Sequence, residues 1–355
     1  LLLHYFIKAT LYHWDLPETL QDKGGWLNLE IANWFQDFAE VCFENFGDLV
    51  KHWITLNEPS IFIKHGYQDG SFAPGITDDG GRNSYICTKH ALLAHAQAWH
   101  LYDTKFRNKQ AGVVGIVVHS KHYEAGNDDQ ESVDAAERAY DLDLGLYLNP
   151  IISRDGGYPS RIMEYFKSHK PNGFSQLAEL TEKDIDIIKG TSDFIGLNYY
   201  TAVFVKHHEN TKLGLWFDAD AQEYLDPSWK SDGFFAVAPF GIRKVLNRIK
   251  NNYSDTAPIY IMENGYGDFS SSLDDHDRVD YIQSHISQVR KAMDDGCNVK
   301  GYTAWSLMDN FEWASGYGPK FGLFYIDFTD AIKARVAKKS AQYYAKLIET
   351  RGALL

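Results

Sequence analysis

Six short runs rich in β-branched and aromatic residues recur along the chain, at residues 9–14, 52–56, 113–118, 194–200, 259–262 and 301–305. Each reads as a buried strand. Helical patterns lie between them. Ile31, Phe35, Phe38, Cys42 and Phe46 follow spacings of three and four and stop at Gly47, where a left-handed cap costs little. Thr181, with Asp184 three residues on, opens a second helix that buries Ile185 and Ile188 and stops at Gly190. Val279, Ile282, Ile286, Val289 and Met293 mark a third, ending at Gly296. Parallel neighbours need a crossover that returns the chain, so this alternation predicts an α/β fold with a parallel sheet and helices outside it.

No stretch reads as a linker and no repeat is visible, so residues 1–355 are expected to form a single domain. No apolar run approaches the ~18 residues of a membrane span, and no membrane partner is expected. The 35 basic residues against 48 acids give a net charge of −13, which opposes a phosphate backbone, so no nucleic-acid partner is expected either. Cys42, Cys87 and Cys297 are too scattered for a CxxC site, and their odd number leaves at least one free thiol. His119 and His122 lack a third ligand at metal-binding spacing, and no metal is assigned. Dinucleotide, phosphate-loop and serine-hydrolase motifs are all absent from the sequence. Leu1-Leu2-Leu3 runs on through His4 without the basic start and cleavage site of a signal peptide, so the chain is expected to start mid-protein.

The connections after the strands, at 12–28, 57–83, 198–235, 263–277 and 306–328, are long and rich in Trp, Tyr, His, Asn and Asp. In a parallel barrel they emerge on one face, where barrel enzymes carry their chemistry. Glu58 follows the strand ending at Asn57, and Glu263 follows the strand ending at Met262, so both are expected at that face. Taken singly, each glutamate reads equally well as an exposed loop residue. As a pair they have the composition that glycosidic-bond cleavage requires. His13, Trp14, Tyr200, Trp305, Trp313 and Phe321 fall at strand ends among Asn198, Asp309, Asn310 and Glu312. Sugars want this mixture, since their C–H faces stack on indoles while their hydroxyls need directional partners.

Five segments in order resemble glycoside hydrolase family 1, the retaining β-glucosidases, particularly the animal digestive type. They are Leu11-Tyr12-His13-Trp14-Asp15-Leu16-Pro17, Thr55-Leu56-Asn57-Glu58-Pro59, Asn198-Tyr199-Tyr200-Thr201, Met262-Glu263-Asn264-Gly265 and the run from Trp305-Ser306 through Glu312-Trp313. The resemblance implies a (β/α)8 TIM barrel and a terminal β-D-glucoside, fucoside or galactoside as substrate. It implies Glu58 as general acid/base, Glu263 as nucleophile and a covalent glycosyl-enzyme. His13, Asn57, Trp305, Glu312 and Trp313 look like glycone contacts, with Trp14, Asn198 and Phe321 beside them, and Tyr200 resembles the partner of the nucleophile. The family works without metal or organic cofactor. Glu58 stands where plant thioglucosidases carry glutamine, Ser60 where many members place an aromatic, and Phe234 where a tryptophan commonly lines the aglycone site.

Aligning the motifs makes 9–14 the third barrel strand, so strands 3 to 8 are represented and two strand–helix units have no counterpart. With them go a glutamine that binds the glycone and an arginine that steadies the nucleophile. An active retaining β-glycosidase incomplete at its N-terminus is the first expectation. A non-catalytic binding, storage or scaffold protein of the same fold is the alternative. The two-carboxylate mechanism predicts a bell-shaped pH profile with an acidic optimum. Similarity to digestive members and the sequon Asn252-Tyr253-Ser254 point to an extracellular setting.

Overall fold

The computed structural model describes residues 7–78, 80–170 and 179–352; the leucine run at the start of the sequence lies outside them. In chain order the strands are β1 (Lys8–Tyr12), β2 (His52–Asn57), β3 (Val113–His119), β4 (His122–Ala125), β5 (Ile195–Asn198), β6 (Ala202–His207), β7 (Ala221–Tyr224), β8 (Ile259–Glu263), β9 (Val299–Tyr302), β10 (Phe324–Ile326) and β11 (Arg335–Ala337). Six of them form one sheet in the order β1-β2-β3-β5-β8-β9, every neighbouring pair parallel. They are the six runs read from the sequence. Two small sheets, β4-β6-β7 and β10-β11, are built from the connections.

Boundaries move where the backbone turns to serve the mouth of the sheet. The first run ends at Tyr12 and not Trp14, because Trp14 takes a left-handed conformation at φ 76° that no strand accommodates. The fourth keeps only Ile195–Asn198, and the last shifts to Val299–Tyr302, leaving Trp305 beyond the strand. Register slips between Ile54 and Asn57 and between Leu197 and Asn198. Such irregularities re-aim side chains at the end of a ladder, here those of two asparagines.

Helices cover the outer face. Ile31–Phe46 returns the chain from β1 to β2, as the spacing predicts, yet its buried stripe is Ile31, Phe35, Ala39 and Phe43. Phe38 and Phe46 face solvent, and Gly47 is right-handed at φ −71°, so the left-handed cap expected there is replaced by a continued turn. The capping box at Thr181 forms as read: Asp184 N–H donates to Thr181 Oγ1 at 3.2 Å and Thr181 N–H to Asp184 Oδ2 at 2.8 Å, opening Glu182–Ile188. The helix His276–Asp294 buries Tyr281, Ile282, His285 and Val289, while Met293 stays half-exposed. No helix of the described residues is long and apolar enough to cross a membrane.

Inside the sheet, Ile54, Val117 and Phe194 pack with Val113, Tyr260 and Met262, while Trp53 and Leu56 join the larger core under the helices. That is the in–out alternation of a barrel wall. β1 and β9 each pair on one side only among the described residues. Exposed apolar side chains stand beside both edges: Phe38 next to Leu11 and Tyr12 of β1, and Met293 and Ile348 next to Val299 and Tyr302 of β9.

Candidate active site

Glu263 is the last residue of β8 and Glu58 the first beyond β2, so both carboxylates sit at the C-terminal end of the sheet. Pro59 does not break the chain after Glu58. It occupies the first turn of the helix Pro59–Tyr67, where a missing N–H is harmless, and Glu58 becomes that helix's cap at φ 46°, ψ 62°. The Glu58 N–H donates to Val117 O at 2.9 Å, which pins this left-handed turn against β3.

Both carboxylates are buried, Glu58 at 6% and Glu263 at 8% exposure, so the water that would solvate their charge is replaced by a few fixed donors. Asn198 Nδ2 donates to Glu58 Oε1 at 2.7 Å, and Tyr200 OH donates to Glu263 Oε2 at 2.7 Å. These donors are two residues apart, so one short segment at the end of β5 holds both acids. Burial raises both carboxyls. The nearby Glu58 charge pushes Glu263 well above the usual range, while the facing His119 imidazole pulls Glu58 partly back. A pair in this position shares one proton more readily than it ionises twice.

Asn198 does more than touch Glu58. Its amide also donates to Asn57 Oδ1 at 3.1 Å, and Asn57 Nδ2 lies 3.2 Å from His13 Nε2. Burial holds the His13 pKa down, which favours the neutral ring whose Nε2 accepts. The chain Asn198–Asn57–His13 therefore fixes the orientation of each amide. Trp14 Nε1 donates to Asn57 O at 2.9 Å from the other side.

Around the acids stands an aromatic wall. His13 stacks on Trp305 at 5.9 Å and on Trp313 at 5.8 Å between ring centroids, and Trp14 lies 4.4 Å from Trp313. Tyr200 stacks on Phe235 at 5.1 Å and meets Phe321 edge-on at 6.2 Å. Glu312 projects between them, accepting from Asn310 Nδ2 at 2.8 Å, with burial raising its pKa. Together these residues line a cavity of about 380 Å³, within the range of small-ligand sites. Among the described residues, four of the eight non-glycine residues with positive φ line it: Trp14, Glu58, Trp216 and Trp313. Backbone strain concentrated in this way is a mark of functional sites.

Of the residues predicted from sequence, Glu58, Glu263, His13, Trp14, Asn57, Tyr200, Trp305, Glu312, Trp313 and Phe321 line this cavity. Asn198 does not; fully buried beneath it, Asn198 positions Glu58 and Asn57. His119 and His122 diverge. His119 faces the cavity and pairs with Asp143 at 3.3 Å, while His122 turns to Tyr140 and Glu124. Ser60 Oγ donates to the same Asp143 at 3.2 Å, and Phe234 is part of the lining. Sequence reasoning missed Lys64, Lys121, Phe72 and Trp216. Lys64, Phe72 and Trp216 lie within the long connections but carry no motif that sets them apart from their neighbours, and Lys121 lies in the short turn after β3, outside those connections.

The family model for "Glycosyl hydrolase family 1" matches residues 3–353. A cytosolic beta-glucosidase of Cavia porcellus is 42% identical over 97% of this chain and 74% of its own length. The human lactase-like protein is 40% identical over 97% of this chain, which spans 62% of that relative. Among solved structures, aphid myrosinase superposes with TM-score 0.89 at 34% identity, covering 96% of this chain and 74% of its own. The family 1 b-glucosidase from Thermotoga maritima gives TM-score 0.86 at 35% identity, covering 97% and 73%. These neighbours and the all-parallel sheet identify the architecture as a TIM-type barrel. The chain is a glycoside hydrolase and belongs to glycosyl hydrolase family 1.

Proposed function

We propose that the chain is a retaining β-glycosidase of terminal β-D-glucosides, with Glu263 as nucleophile and Glu58 as acid/base. One observation carries the reading: two buried carboxylates, each held by its own neutral donor, line one sugar-sized cavity walled by indoles. Glu263 attacks the anomeric carbon as the Glu58 proton passes to the departing oxygen. Water then attacks the glycosyl-enzyme, with ionised Glu58 taking its proton. Asn198 Oδ1, buried without a hydrogen-bond partner among the described residues, is an acceptor beneath the reacting centre. The related Thermotoga maritima enzyme is known in complex with deoxynojirimycin and with castanospermine, and a rice beta-glucosidase variant in a covalent complex with Glc, which supports both the ligand class and the covalent step. The test is NMR of the first-formed sugar from an aryl β-glucoside. The β anomer is expected, and α product or undiminished turnover by Glu263→Gln would overturn the roles.

The finer topology belongs to the same proposal: β1, β2, β3, β5, β8 and β9 correspond to strands 3 to 8 of an eight-strand barrel. The unpaired edges of β1 and β9 and the exposed apolar side chains beside them support it. Intact mass of the protein from its source tests this, a mass near 40.5 kDa counting against it. The extracellular setting is also proposed. Asn252, exposed at the end of the helix Pro239–Asn252, is accessible to a glycan, which a glycosidase-sensitive mass shift would reveal.

A second reading, sugar binding without hydrolysis, is favoured by one observation. No cation pairs with Glu263 among the described residues, so only neutral donors, Tyr200 first among them, oppose the burial that favours its protonated form. Binding of a glucose-like inhibitor with no turnover at any pH would select it.

A further inference from the structure

Tyr199, Tyr200 and Thr201 lie between β5 and β6 and belong to neither strand, so their buried carbonyls need donors from outside a ladder. Thr201 O accepts from the His122 N–H at 3.1 Å. The other two are met by side chains. Asn264 Nδ2 donates to Tyr199 O at 2.7 Å, and Tyr281 OH donates to Tyr200 O at 3.1 Å. Tyr200 is the residue whose own hydroxyl donates to Glu263. The donor that meets Glu263 is therefore itself held from behind, by the helix His276–Asp294 that carries Tyr281.

The protons along this chain run one way. A carbonyl can only accept, so the nitrogen of the Asn264 amide faces Tyr199 O, and Asn264 Oδ1 is left to accept from Tyr302 OH at 2.7 Å. Tyr281 gives its proton to Tyr200 O, so its oxygen accepts from Asn264 Nδ2 at 3.0 Å. The order Tyr302, Asn264, Tyr281, Tyr200, Glu263 links the edge strand β9 to the carboxylate through bonds of fixed sense. The Tyr281 ring cannot swing. It is 2% exposed, stacks on His285 with 3.8 Å between ring centroids and meets Tyr266 edge-on at 5.8 Å. Buried polar groups need partners wherever they lie, and what distinguishes this set is that it ends on the hydroxyl facing Glu263. None of Asn264, Tyr281 and Tyr302 lines the cavity.

Resting on the reading of Glu263 as nucleophile, we propose that Tyr281 is a positioning residue, which with Asn264 and Tyr302 sets the aim of the Tyr200 hydroxyl at Glu263. Small misplacements of a reacting group cost rate far more than they cost affinity, because the sugar is held by other contacts. Those contacts are the proposed ones of Trp305, Glu312 and Trp313, and removing the Tyr281 hydroxyl leaves them in place.

The test is a double-mutant cycle of Tyr281→Phe and Tyr200→Phe on an aryl β-glucoside, with melting temperatures recorded alongside. Tyr281→Phe alone is expected to lower kcat about 5- to 20-fold and to leave KM within about twofold. In the Tyr200→Phe background the same change is expected to cost less than about twofold, since no hydroxyl remains to be aimed. An unchanged kcat in Tyr281→Phe, or two losses that multiply in full, overturns the proposal, because a merely structural residue acts whether or not Tyr200 keeps its hydroxyl. Tyr302→Phe, at the far end of the chain, is expected to lose about 2- to 5-fold with the same disappearance, and it decides the matter where Tyr281→Phe does not fold. Binding of deoxynojirimycin is titrated calorimetrically through the same cycle. A wild type that binds it without turnover sinks the glycosidase reading alone. Coupled losses of affinity then support the positioning role, and independent ones overturn it. A wild type that neither binds nor turns over overturns both.

Discussion

Glu58 and Glu263 meet the same cavity with the same degree of burial, but in different company. Glu58 caps a helix from a left-handed turn, with the His119 imidazole nearby to favour its charge while Asp143 behind it works the other way. Glu263 ends a strand and is met by neutral donors and two further acids. Identical side chains thus acquire different proton affinities from their neighbours alone, which is how one fold obtains an acid and a nucleophile from one residue type. The comparison also shows what the described residues do not supply, a cation beside Glu263.

The largest break in that comparison is Glu263→Gln, expected to lower kcat by about 10⁴-fold or more on an aryl β-glucoside, measured by steady-state kinetics. Glu58→Gln follows. Its loss is expected at about 10² to 10⁴-fold for a glucoside with a poor leaving group and much less for a nitrophenyl one, because only the former needs the proton. Equal losses on both substrates would contradict the assignment. Tyr200→Phe removes one hydrogen bond to a charged group, worth about 1.5–3 kcal/mol, hence about 10 to 150-fold in kcat/KM. The same change takes a stabilising donor from ionised Glu263, so the acid limb of the pH profile moves further up.

The wild-type profile is itself informative. Activity requires ionised Glu263, and burial with the Glu58 charge favours its protonated form, so the acid limb is expected above the ordinary carboxylate range. This narrows the bell from its acidic side. His119→Gln acts on the other limb and is the smallest effect. Asp143 keeps His119 charged to higher pH than a free histidine despite its burial, and that charge favours ionised Glu58. Removing it leaves Glu58 protonated longer, so the basic limb moves up. A basic limb that stays in place separates His119 from the acid.

The sequence made all six sheet strands legible, because parallel strands buried on both faces read as continuous apolar runs. Helix phase was less legible. Residues 31–46 carry apolar side chains on two faces, and the spacing through Phe38, Cys42 and Phe46 is as regular as the true buried stripe through Ala39 and Phe43. Small alanines seat that face close to its neighbours, which side-chain size alone does not announce. The acids and the aromatic wall were legible from motif and resemblance. Asn198 was recognised but misplaced, since only the packing reveals that it lies under the cavity. Lys64 and Trp216 stand 152 positions apart, a juxtaposition no local pattern encodes.

The left-handed backbone at Trp14, Glu58, Trp216 and Trp313 has a consequence for anyone who would make the protein more robust. An L-residue held there costs about 1–2 kcal/mol, which glycine escapes. Glu58→Gly also deletes a carboxyl stranded away from water, so a screen ranked by melting temperature would reward the change that extinguishes hydrolysis. Thermal tolerance and turnover draw on opposite sides of that one turn, and selection for heat resistance must hold position 58 fixed.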